Sequence, residues 1–99
     1  MAGRIAFPTR IDTTSIHAGE EPDPVSKASA PNIVMSTTFV TEANAGFSVE
    51  GMEEGTNWTY SRWGNPTVHQ LEVKLAALEN AEAAVAFGSG MGAVSALLL

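Results

Sequence analysis

Between residues 83 and 99 the chain is apolar almost without interruption, broken by Gly88-Ser89-Gly90-Met91-Gly92 and, beyond it, by Ser95 alone. A short apolar run bounded by glycines predicts a buried strand over 83–87, and the stretch after the turn predicts an apolar helix over 93–99. Neither element can stand alone in water, so both are expected to pack into a larger α/β layer. Leu97-Leu98-Leu99 has no capping glycine, no basic last turn and no proline after it. The chain is therefore expected to be one part of a longer protein.

Ahead of this unit stands a well-marked helix. Asn65-Pro66 is a start signal, because Asn can cap free N–H groups and Pro tolerates the first helical position. Val68, Leu71, Leu75 and Leu78 follow at helical spacing, with Gln70, Glu72, Lys74 and Glu79 off that stripe, and Asn80 is a credible stop. Helix, strand, glycine turn and helix together predict a piece of an α/β fold.

The first part of the chain is different. Residues 1–31 are polar and interrupted by Pro8, Pro22, Pro24 and Pro31, which makes long regular elements unfavourable. Residues 32–40 are β-branched (Ile33, Val34, Thr37, Thr38 and Val40), which suggests one or two short strands. Residues 41–57 place Glu42, Glu50, Glu53 and Glu54 among Gly46, Gly51 and Gly55, the pattern of a surface loop. No internal repeat or low-complexity tract occurs.

Composition narrows the possible functions. The 99 residues carry 5 Lys+Arg against 11 Asp+Glu, a net charge of −6. That balance argues against nucleic acid as a partner, since phosphate binding along a duplex needs clustered cations. A hydrophobic content of 44% with 16% charged residues excludes a highly charged disordered tail. There is no cysteine, hence no disulfide, thiolate metal site or cysteine nucleophile. Neither a secretory leader nor a run long enough to span a bilayer is visible, so a cytoplasmic location is expected.

Two stretches could carry chemistry. In Gly88-Ser89-Gly90-Met91-Gly92, glycines let a ligand approach the backbone, and the following helix aims its free N–H groups at the turn. A phosphate suits such a place, although a strand-to-helix turn can need glycine geometry for its own sake. The dinucleotide spacing G-x-G-x-x-G is not matched, which counts against a dinucleotide-binding half-domain. In Tyr60-Ser61-Arg62, one of three arginines in the chain stands among Trp58, Tyr60 and Trp63. Arg and Tyr can share a phosphate, or the guanidinium can simply stack on rings at a subunit surface. His17 and His69 lack a second ligand at metal spacing, and Ser89 lacks the G-x-S-x-G context of a nucleophile.

Taken together, five blocks resemble the cysteine/methionine-metabolism, or transsulfuration, family of pyridoxal-phosphate (PLP) enzymes. This family includes cystathionine γ-synthase, cystathionine lyases, methionine γ-lyase and homoserine sulfhydrylases. The blocks are T-S-I-H-A-G at 14–19, P-N-I-V-M-S-T-T-F at 31–39 and Y-S-R-W-G-N-P-T at 60–67. Leu71-Glu72 with L-A-A-L-E at 75–79, and F-G-S-G-M-G-A at 87–93, complete the set. The resemblance implies an extended N-terminal arm and acidic loop over 1–57. Residues 58–99 would then begin the large domain of the type I, aspartate-aminotransferase-like fold.

The resemblance also implies roles. Tyr60 and Arg62 would reach the cofactor phosphate of a neighbouring subunit in a homodimer or homotetramer. Gly90 and Met91 would offer backbone N–H groups to the phosphate of their own subunit. The substrate would be a sulfur amino acid or activated homoserine. PLP chemistry also needs a lysine to bind the cofactor covalently. Lys27 and Lys74 are the only lysines, and neither matches the family's Schiff-base motif. These 99 residues alone are therefore expected to be inactive. The alternative is a non-catalytic phosphate-binding or interaction module.

Overall fold

The structure, a computed structural model, describes residues 10–41 and 58–99. Most of the expected acidic loop lies outside the described residues, as do the first nine. The described elements are three helices: α1 (Ile11–His17), α2 (Pro66–Glu79) and α3 (Gly90–Leu98).

α2 begins and ends where local chemistry dictates. Asn65 has extended backbone and its side chain accepts from the Thr67 N–H at 2.8 Å, while Pro66 occupies the first turn. At the other end Asn80 is left-handed, with φ 52° and ψ 36°, and its N–H turns back to the Ala76 and Ala77 carbonyls. That is the αL stop Asn tolerates better than most residues.

Three faces of α2, each about a third of a turn from the next at 3.6 residues per turn, meet different fates. Gln70, Val73 and Lys74 receive the segment after α1. A Cβ on Gly19, whose φ is +73°, would stand 3.0 Å from the Gln70 carbonyl oxygen and 3.2 Å from Val73 Cγ1, so the approach requires glycine. Beside it Ala18 is the one buried residue among those described. Seven residues are too few for a helix to persist in isolation, so α1 owes its persistence to this seat. Lys74 closes it, pairing with the Glu20 carboxylate and donating to the Ile16 carbonyl at 3.4 Å.

The second face, around His69 and Glu72, meets Trp58 and the segment before α3. The Trp58 and His69 rings lie edge to face at 5.6 Å, and Glu72 Oε1 accepts the Ala86 N–H at 2.8 Å. The third face is the stripe Val68, Leu71, Leu75 and Leu78, of which the first three remain 43–50% exposed and Leu78 is part-buried. Among the described residues, the faces bearing Gln70, Val73 and Lys74 and bearing His69 and Glu72 are better covered than Val68, Leu71 and Leu75.

Two expectations about strands need correction. Residues 83–87 are not a strand and are not buried; Val85 is 71% exposed. A strand exists only through its ladder partner, and here Ala86 is held by a side chain instead. Residues 32–40 supply only an isolated antiparallel bridge, Thr38 with Tyr60. The described residues therefore hold no sheet, and the α/β reading is not visible within this span. α3 also starts earlier than expected, at Gly90 instead of Ala93, because Ser89 caps it: its Oγ accepts the Gly92 N–H at 3.0 Å.

Candidate functional site

Tyr60 and Arg62 sit on a tight turn. The Trp63 and Gly64 N–H groups both return to the Tyr60 carbonyl, at 2.9 and 3.1 Å. A Cβ on Gly64 would stand 3.0 Å from Trp58 Cζ3, so a larger residue here would press the indole aside by a few tenths of an ångström. Arg62 Nη2 donates to the Tyr60 hydroxyl at 3.0 Å, and Arg62 Cζ lies 5.0 Å from the centre of the Tyr60 ring. Trp63 meets the same ring edge to face at 6.0 Å. Guanidinium and phenol are thus already side by side. No carboxylate pairs with Arg62 among the described residues.

The turn is tied to residues 34–39. Ser61 N–H donates to the Thr37 carbonyl at 2.8 Å, and Phe39 N–H to the Thr59 carbonyl at 3.2 Å. Further along, Val34 N–H donates to Thr67 Oγ1 at 2.9 Å, and Asn65 Nδ2 donates to the Val34 carbonyl at 3.0 Å. Asn65 was legible in the sequence as a helix cap. Its hold on a residue 31 positions earlier left no local signal.

Gly90 and Met91 open α3. Of its first N–H groups, that of Gly92 is taken by Ser89 Oγ and that of Ala93 by the Ser89 carbonyl. Those of Gly90 and Met91 come before any intrahelical partner. Gly88 and Gly90 have no positive φ, and a Cβ on either would meet nothing within 4 Å. Nothing in the turn's own geometry calls for glycine at these two positions. The two pairs stand on different elements, one on the turn at 60–64 and the other at the start of α3.

The remaining candidates are structural. His69 stacks on Trp58 with Nδ1 4.0 Å from Glu72 Oε2, and Lys74 is engaged by Glu20. Among the described residues no three His, Cys, Asp or Glu side chains gather as a metal would need, and no helix is long and apolar enough to cross a membrane.

An arginine–tyrosine pair and, on a separate element, a glycine turn at a helix start each offer donors of the kind a phosphate group takes. Comparison with known proteins gives the chain a family. The family described as Cys/Met metabolism PLP-dependent enzyme matches residues 12–99. The chain belongs to that family. It is 41% identical over 96 residues to an L-methionine gamma-lyase of Streptomyces avermitilis, covering 90% of this chain and 23% of the relative. It is 45% identical over 82 residues to a cystathionine gamma-lyase of Sus scrofa, covering 82% of this chain and 18% of the relative. Among solved structures it is similar to metB of Corynebacterium glutamicum, with a TM-score of 0.74 and 38% identity over 91% of this chain and 22% of that one. The chain thus spans about a fifth of the length of these relatives.

Proposed function

We propose that these residues are the N-terminal part of a PLP-dependent enzyme acting on sulfur amino acids or activated homoserine, by carbon–sulfur lysis or γ-replacement. PLP, when bound, supplies the electron sink for such reactions. This segment's contribution is to hold the phosphate. Tyr60 and Arg62 grip the phosphate of the neighbouring subunit, and the Gly90 and Met91 N–H groups hold that of their own. Residues 1–57 act as arm and acidic loop, and 58–99 open the large domain of a type I fold. The full-length protein works as a homodimer or homotetramer in the cytoplasm.

The observation that carries the reading is the exposed, pre-assembled Arg62–Tyr60 pair, whose guanidinium no described carboxylate neutralises. A charged fork of this kind binds phosphate oxygens in a bidentate manner. Glycines that the turn's own geometry does not require support a close ligand at 88–90. Among the described residues Ala18 alone is buried, which supports this reading over a self-standing phosphate module that would need a core of its own. In the full-length protein, Arg62→Ala should raise the PLP dissociation constant by about tenfold or more, the loss of one charge-assisted contact. Unchanged cofactor retention would refute the phosphate role.

A further inference from the structure

The antiparallel register that pairs Thr38 with Tyr60 would, if continued, set Val34 opposite Gly64. The chain has already turned there, and the Gly64 N–H is spent on the Tyr60 carbonyl. Two side chains supply what the ladder lacks. Asn65 Nδ2 takes the Val34 carbonyl at 3.0 Å, and Thr67 Oγ1 takes the Val34 N–H at 2.9 Å. Val34 therefore has both backbone groups satisfied as in a sheet, by residues on either side of Pro66.

The turn bearing Arg62 is in this way anchored at both ends to one segment. Thr59 and Ser61 bind Phe39 and Thr37 on one side, and Asn65 and Thr67 bind Val34 on the other. We infer that Asn65 and Thr67 are positioning residues for the phosphate grip, setting where Tyr60 and Arg62 stand by clipping Val34 across the end of the turn. The inference rests on the phosphate role proposed for Tyr60 and Arg62. Both clip bonds are partly buried. Removing one partner therefore leaves a Val34 backbone group without its bond, at a cost beyond the bond itself.

Conservative variants separate the clip from the helix cap. Asn65→Asp keeps the oxygen that caps Thr67 N–H, and Asp caps as well as Asn, but it loses the donor to Val34. Thr67→Val removes the hydroxyl at nearly constant shape, while Thr67→Ser restores it. The experiment is a spectral titration of full-length apoprotein with PLP, in the wild-type and Arg62→Ala backgrounds. If the clip acts through Arg62, Asn65→Asp and Thr67→Val each weaken PLP by about tenfold in the first background. In the Arg62→Ala background the loss shrinks to less than about twofold, because the two sites are coupled, and Thr67→Ser stays near wild type. Equal losses in both backgrounds, or none in either, overturn the inference and leave the role of Arg62 intact. If Arg62→Ala itself leaves PLP binding unchanged, the phosphate reading falls and the inference falls with it.

Discussion

Lys74 and Glu20 form an ion pair across 54 positions of sequence, with the lysine side chain only 20% exposed and the glutamate 28%. The pair fastens the segment after α1 to a face of α2 that reads, in sequence, as solvated. Lys74→Met keeps the aliphatic stem and removes the charge. It should destabilise the protein by about 1 kcal/mol, at the upper end of the range of exposed pairs, because a carboxylate is left half-buried without its partner. Urea denaturation of the variant against wild type measures this. A difference below about 0.3 kcal/mol would assign the pair to the negligible surface class.

The same engagement bears on covalent chemistry. Lys74 is held by Glu20 and the Ile16 carbonyl, and Lys27 sits in a left-handed turn residue with φ 60°. Residues 1–99 incubated with PLP and borohydride should yield no specific adduct at either lysine, and no lyase turnover. Peptide mapping of the reduced product checks both positions.

Ser89 caps α3 beside the proposed phosphate donors, and substitution can separate the cap from the phosphate site. Its hydroxyl caps α3 through the Gly92 N–H. Ser89→Ala should cost about 1 kcal/mol, the usual loss for a removed cap. Ser89→Asp preserves capping and improves the charge at the helix start. It also places a carboxylate beside the Gly90 and Met91 N–H groups. In the full-length protein it should leave thermal stability intact and still weaken PLP binding by about tenfold or more, through repulsion of the phosphate. Retained PLP affinity in Ser89→Asp would argue against a phosphate at this turn.

Asp23 organises the turn between α1 and the segment at 34–39. Its Oδ1 accepts from Ser26 N–H at 2.6 Å, Ser26 Oγ at 3.0 Å and Val25 N–H at 2.9 Å, and its Oδ2 from Asn32 Nδ2 at 2.8 Å. The Ser26 N–H and hydroxyl, above all, hold its carboxyl below the usual aspartate range against an opposing desolvation, with Val25 and Asn32 adding to the lowering. Because the folded value is depressed, this contribution to stability is fully present above the ordinary aspartate pKa. It is lost as pH falls through the lowered value. Carboxyl carbon NMR should show Asp23 titrating below a free aspartate, with the Ser26 amide resonance moving in step. A normal Asp23 titration would refute the turn's dependence on its charge.

Sequence by itself determined what short-range chemistry controls. Asn65, Pro66 and Asn80 bound α2 as their capping preferences dictate, since each acts on backbone groups within a few residues. The Tyr60–Arg62 pair is equally local, two positions apart on one turn. Tertiary structure decided the rest. The apolar stripe of α2 did not reveal which face the chain's own N-terminal part would cover, because that depends on Gly19 and Glu20 arriving from more than fifty residues away. Residues 83–87 have the composition of a strand, but a ladder needs a neighbour, and here Glu72 supplies a single acceptor in its place. The glycine turn at 88–92 behaves likewise. Its helix start was written locally in Ser89, whereas the openness above Gly88 and Gly90 is a property of the folded surroundings.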